Sequence, residues 1–181
     1  MTPSGIDGYF DALIRDVPDF PKPGVLFKDI TPLLADHDAF TATVQALAAA
    51  GRDASGATVV DKVIGMEARG FILAAPVALA LGVGFVPVRK AGKLPSTTYA
   101  VSYELEYGEA TLEMHTDALA PGERVLLVDD VLATGGTAAA TGELVDRAGA
   151  AVHALAVLME LSFLNGRSAL GETPLLALRT L

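Results

Sequence analysis

Between residues 58 and 160 the apolar positions fall into short unbroken runs rather than strict alternation. TVVDKVIGM (58–66), GVGFVPV (82–88), RVLLVDD (124–130) and AVHALAVLME (151–160) are rich in Val, Leu and Ile. Such runs predict strands covered on both faces. Two stretches of helical character separate them, RGFILAAPVALALG and GTAAATGELVDRAG, with Gly82 and Gly149 as helix stops. Strand, helix, strand in series predicts an α/β fold, a mostly parallel, doubly wound sheet with flanking helices. Ligands of such sheets bind outside the carboxyl ends of the strands. Asp129 and Asp130 are expected at one such end.

Two segments break the alternation. DFPKPGVLFKDITPLL (19–34), with three prolines and a glycine, predicts an irregular or extended cover. KAGKLPSTTYAVSYELEYGEATLEMH (90–115) opens polar and then alternates like an antiparallel hairpin, with its turn near Tyr107, Gly108 and Glu109. A long polar insertion beside a ligand edge reads as a lid. Phe71 to Val88 carries no charge over 18 residues, enough for a membrane helix by length alone. Pro76, Gly82, Gly84 and the change from Ala/Leu to Val/Phe instead predict a buried helix followed by a buried strand.

Composition narrows the function. A chain of 181 residues, 51% hydrophobic, suits one compact domain over 1–181. The net charge of -9 argues against a broad nucleic-acid-binding face. The absence of cysteine excludes disulfides and thiolate chemistry and fits a reducing, cytoplasmic setting. The first residues lack the basic-then-apolar order of a secretion signal. His37, His115 and His153 show no metal-ligand spacing, and His153 reads as a packed histidine in an apolar strand.

The strongest chemical signal is VLLVDDVLATGGT (125–137). Small residues let the backbone of Ala133, Thr134, Gly135, Gly136 and Thr137 curl and turn N–H groups towards one point. A helix starting at Gly136 or Thr137 adds its free N–H groups and dipole, making a pocket for a phosphate monoester. The two carboxylates would repel that phosphate, so they should face a hydroxyl-rich part of the same ligand, with magnesium nearby. Gly-Lys-Ser/Thr does not end the loop, and GxGxxG is absent, so neither a Walker A site nor a dinucleotide fingerprint applies. A solvated acidic turn before an ordinary helix entry is the bland reading of the same string.

This string resembles the phosphoribosyl-pyrophosphate (PRPP) signature of type I phosphoribosyltransferases. DFPKPGVLFKDITPLL, IGMEARGF, VPVRKAGKLP, YELEYGEATLEMH and GERVLLVDDVLATGGT, in this order, resemble the adenine-using branch of that family from about residue 10 to 170. The resemblance implies transfer of the 5-phosphoribosyl group from PRPP to adenine, giving AMP and pyrophosphate with Mg2+ in purine salvage. It implies an N-terminal hood over about 10–34, a flexible lid over about 90–115, and a cytoplasmic homodimer that uses neither nucleic acid nor membrane as partner.

It also implies roles for residues. Ala133 to Thr137 hold the 5'-phosphate, and Asp129 and Asp130 hold the ribose hydroxyls. Glu67, Ala68, Arg69 and Lys90 serve the pyrophosphate, with a cis bond between Glu67 and Ala68; for Lys90 and Lys93 the bland reading is a merely solvated lid lysine. Phe27 stacks on adenine while Leu26 and Lys28 offer backbone groups to its Watson–Crick edge. A 6-oxopurine would leave those groups unpaired. Spacing puts Glu104 and Glu106 on one strand face and does not choose between them. The resemblance chooses Glu106 as the acid/base, with Tyr107 closing beside it. A phosphoribosyltransferase for another base and a PRPP sensor without turnover are the competing readings.

Overall fold

The computed structural model describes residues 5–104 and 109–181. The chain forms two compact units, Met1–Gln45 and Ala46–Leu181. In the first, helix α1 (Ile6–Leu13) precedes an antiparallel pair of strands, β1 (Arg15–Pro18) and β2 (Leu26–Asp29), and the short helix α2 (Thr31–Ala35). The segment 19–34, expected to be irregular, therefore carries one paired strand and one helical turn. Asp29 starts that turn by accepting the Thr31 N–H at 2.9 Å. Helix α3 (His37–Ala48) leads out of this unit.

The second unit is built on a seven-stranded sheet. Its strands are β3 (Lys62–Met66), β4 (Gly84–Lys90), β5 (Thr98–Glu104), β6 (Glu109–His115), β7 (Arg124–Leu132), β8 (Ala151–Glu160) and β9 (Leu175–Thr180). Their spatial order is β5-β6-β4-β3-β7-β8-β9. The pairs β4-β3, β3-β7, β7-β8 and β8-β9 are parallel; β5-β6 and β6-β4 are antiparallel. Helix α4 (Arg69–Leu81) joins β3 to β4, and α5 (Gly136–Arg147) joins β7 to β8. The two crossovers leave the central pair in opposite directions. Right-handed connections then put α4 and α5 on opposite faces, with the switch point between β3 and β7. Val125, Leu127, Leu144 and Leu155 share one buried cluster beneath α5, to which no residue of α4 belongs.

Three boundaries differ from expectation. β3 starts at Lys62, not Thr58, because the Thr58 hydroxyl turns to the Leu81 carbonyl at 3.0 Å. β4 starts at Gly84, not Gly82. Gly82 takes the left-handed conformation (φ 71°) that closes α4, and the Val83 N–H returns to the Ala78 carbonyl at 3.0 Å. β7 continues to Leu132 because Val131 and Leu132 stay in register with Met159 and Glu160 of β8. The two aspartates therefore lie inside the last turn of the ladder, not at its end. Among the described residues no helix is long and apolar enough to cross a membrane.

Candidate active site

The switch point brings the carboxyl ends of β3 and β7 side by side, since Gly65 pairs with Val128. Asp129 and Asp130 follow one another on β7, and their carboxyl groups stay close enough for the charge of one to act on the other. Asp130 is buried at 5% exposure, and Arg69 at the start of α4 sets its Nε 2.8 Å from Asp130 Oδ2. The contact is an ion pair without the alignment of a hydrogen bond. The sequence places these groups at opposite ends of a ligand; the structure joins them. Asp129 Oδ1 accepts the Asp130 backbone N–H at 2.8 Å. Burial, then the neighbouring Asp130 charge, pushes the Asp129 carboxyl well above the usual carboxylate range.

Gly70, which sequence reasoning passes over, makes this packing possible. A Cβ there would stand 2.8 Å from Asp129 Oδ1 and 3.0 Å from the Val128 carbonyl oxygen. The signal is present in MEARGF, where a glycine in the first turn of a helix costs stability unless backbone approach requires it.

Beyond Leu132 the chain turns through Ala133 to Gly136. Gly135 sits at φ 84°, and a Cβ on it would meet Ala169 Cβ at 2.7 Å. No side chain caps α5, whose first turn carries no acidic residue. Its free N–H groups and the positive end of its dipole face a small cavity lined by Met66, Asp129 and residues 133–137. Thr137 is held by its own helix, its carbonyl accepting the Thr141 hydroxyl at 2.8 Å.

The loop is braced from a segment to which the sequence reading assigns nothing. Gly166 lies so close under Ala133 that a Cβ would strike the Ala133 carbonyl. Arg167 grips Glu160 with two bonds, Nε to Oε1 at 2.5 Å and Nη2 to Oε2 at 2.7 Å. Glu160 is buried at 3% exposure, and the Arg167 hydrogen bonds hold its carboxyl below the usual range. This fork fixes the turn 162–169 to the end of β8.

The bond between Glu67 and Ala68 is cis. The Glu67 side chain is buried and receives Lys93 Nζ at 2.7 Å, Arg89 Nε at 3.1 Å and the Lys90 N–H at 3.0 Å. Burial pushes its carboxyl up, but the bonds from Lys93 and Lys90 outweigh this and hold it below the usual range. The Glu67 carboxylate thus gathers two cations and a backbone N–H around itself. Lys93, for which the bland reading is a solvated lid lysine, belongs to this cluster, as does Arg89, which the sequence reading misses. Ala68 is the N-cap of α4, and the Lys90 side chain is exposed at the end of β4.

The β5 strand contributes a further contact. The Tyr103 hydroxyl lies 3.1 Å from Thr137 Oγ1, and a Cβ on Gly136 would stand 2.9 Å from the Tyr103 ring. Glu106 and Tyr107 lie outside the described residues. His153 is not simply packed, because its Nδ1 meets Arg124 Nη2 at 2.7 Å. Within the first unit, Phe27 packs edge-on against Phe20 at 5.1 Å between ring centres, and Lys28 pairs with Asp16 at 2.6 Å. Leu26 is 54% exposed.

Residues 33–169 match the model of the phosphoribosyl transferase domain. An adenine phosphoribosyltransferase from a Nocardioides species is 76% identical over 93% of this chain and 91% of its own length. The crystal structure of adenine phosphoribosyltransferase from Thermoanaerobacter pseudethanolicus superposes with a TM-score of 0.89 at 48% identity, covering 95% of this chain and 98% of the other. The Saccharomyces cerevisiae enzyme, solved with an imino-altritol bisphosphate and adenine, gives 0.88 at 41% identity over 95% and 99%. The chain belongs to the phosphoribosyltransferase family, in its adenine phosphoribosyltransferase branch.

Proposed function

We propose that the switch point between β3 and β7 carries out the transfer of the 5-phosphoribosyl group from PRPP to adenine, giving AMP and pyrophosphate. The observation that carries this reading is the uncapped start of α5 directly after two aspartates of unlike environment. The N–H groups of residues 133–137 take the 5'-phosphate. Asp129 and Asp130 accept the ribose hydroxyls, and their charge favours the positive character that grows at C1' as the C1'–O bond to pyrophosphate breaks. For Arg69 to grip pyrophosphate, substrate must draw it from Asp130, which frees that carboxylate for the diol in the same event. Lys90, Arg89 and Lys93 add positive charge beside the leaving group, ordered by Glu67.

Leu26, Phe27 and Lys28 read the base. β2 pairs with β1 in a two-stranded sheet, so one of its edges lies outside that ladder. Adenine attacks through N9, and Glu106 accepts its N7 proton. Among the described residues no group of three His, Asp or Glu side chains converges on a metal. The aspartate pair fits a magnesium ion held chiefly by the diphosphate and water. When bound, the ion neutralises charge on the departing pyrophosphate. The chain works as a homodimer, with lid or pyrophosphate-loop elements near the partner subunit; the exposed Ile72 and Leu79 on one face of α4, at 45% and 83%, support an association of this kind. A cytoplasmic location fits the absence of cysteine.

Replacing Glu106 with Gln tests the proton step. kcat should fall by about 10²–10⁴-fold with little change in PRPP affinity; near-normal turnover would remove Glu106 from the mechanism. Light scattering should give twice 18.6 kDa, and a monomer at working concentration would exclude the dimer.

A further inference from the structure

The Tyr103 hydroxyl and Thr137 Oγ1 lie 3.1 Å apart, and either could donate. A phosphate monoester decides the matter. As the dianion, its main form at neutral pH, its oxygens only accept, so a Thr137 hydroxyl that binds it must spend its one proton there. Thr137 can then only accept from Tyr103. A phenol is the stronger donor of the two, so this polarity is also the favourable one, and chained hydrogen bonds strengthen one another. Gly136 leaves room for the Tyr103 ring to reach this position, since any Cβ there would press on the ring.

We propose that Tyr103 is a positioning residue for the 5'-phosphate, donating to Thr137 so that the Thr137 hydroxyl proton points at the phosphate oxygen. The inference rests on residues 133–137 being the phosphate loop. It adds a strand outside that loop to phosphate recognition. The relay acts on the 5'-phosphate alone, so it should be invisible to a ligand that lacks one.

The test uses Tyr103→Phe, which keeps the ring over Gly136 and removes only the hydroxyl. Dissociation constants for ribose 5-phosphate and for pyrophosphate are measured by calorimetry, alongside AMP formation and Tm. The loss of one relayed hydrogen bond should weaken ribose 5-phosphate about three- to tenfold. The PRPP KM should rise by a similar factor, with pyrophosphate affinity, adenine KM and Tm unchanged and kcat within about twofold. In a Thr137→Val background the same substitution should cost nothing further, whereas in Thr137→Ser, which keeps a hydroxyl, the cost should return. Unchanged ribose 5-phosphate affinity in Tyr103→Phe, equal losses for pyrophosphate, or additive effects with Thr137→Val would each overturn the relay. A wild-type chain that makes no AMP would instead sink the phosphoribosyl reading, so the two failures are distinguishable.

Discussion

Arg69 Nε stands 2.8 Å from Asp130 Oδ2 across the gap between β3 and β7. This pair links the segment that serves pyrophosphate to the segment that serves the ribose. Asp130 is buried, so its charge is stable only while a cation or a donor set faces it. Substrate can supply both replacements at once, phosphate oxygens for Arg69 and hydroxyl protons for Asp130.

Arg69→Lys separates charge from geometry. Lysine keeps the cation but loses the planar fork that grips two phosphate oxygens. Pyrophosphate affinity should fall about tenfold, while ribose 5-phosphate affinity stays near wild type. Equal losses for both ligands, measured by calorimetry, would deny Arg69 a specific place at the pyrophosphate.

Gly70→Ala tests the packing beneath the carboxylates. Its Cβ would stand 2.8 Å from Asp129 Oδ1, so the carboxylate must move. A displacement of this size at the reacting centre should lower kcat/KM about 100-fold. Full activity in the Gly70→Ala variant would show that the Asp129 position is not critical.

Asp129→Asn should raise Tm at neutral pH while abolishing most activity. The folded-state pKa of Asp129 is raised, so the ionised group costs the fold stability above that value. The cost fades as pH falls through the raised folded value and is gone below the ordinary carboxylate value, about 4, where the group is protonated in both states. The gain, about 2–4 °C for each kcal/mol relieved, should therefore shrink on acidification. A Tm gain that grows as the solution is acidified would contradict the assigned direction.

Arg167→Ala removes the fork on Glu160. The Glu160 pKa is lowered in the fold, so this contribution is full above the ordinary carboxylate range and lost as pH falls through the folded value. Tm should drop about 3–8 °C at neutral pH, and the difference from wild type should close in acid. Because the turn 162–169 braces Ala133 and Gly135, the PRPP KM should rise as well. An unchanged KM would confine the fork to stability.

The parts of the site that are local in sequence are legible there. β7, its two aspartates, the small-residue loop and α5 follow one another within about 25 residues, and pattern and composition agree along all of them. α3 and β9 escape the reading. The alternating Ala and Thr of HDAFTATVQALA blur its apolar face, and LLALRT is a short, half-buried edge run. The contacts that set the chemistry are also hidden. Arg69 with Asp130, Arg89 and Lys93 with Glu67, and Tyr103 with Thr137 join residues 22 to 61 positions apart, brought together only by sheet order. The MEARG loop suggests a phosphate grip through its arginine, but nothing in the string says that Glu67 faces inward and collects cations.

The most direct measurement is nucleotide and pyrophosphate formation by the purified chain with Mg2+ and PRPP, offered adenine, hypoxanthine, guanine, xanthine or orotate in separate reactions. AMP and pyrophosphate in equal amounts from adenine, and no nucleotide from the other bases, is the expected result. A nucleotide from another base would overturn the reading of residues 26–28, and no nucleotide from any base while PRPP still binds would contradict catalysis at the β3–β7 switch point.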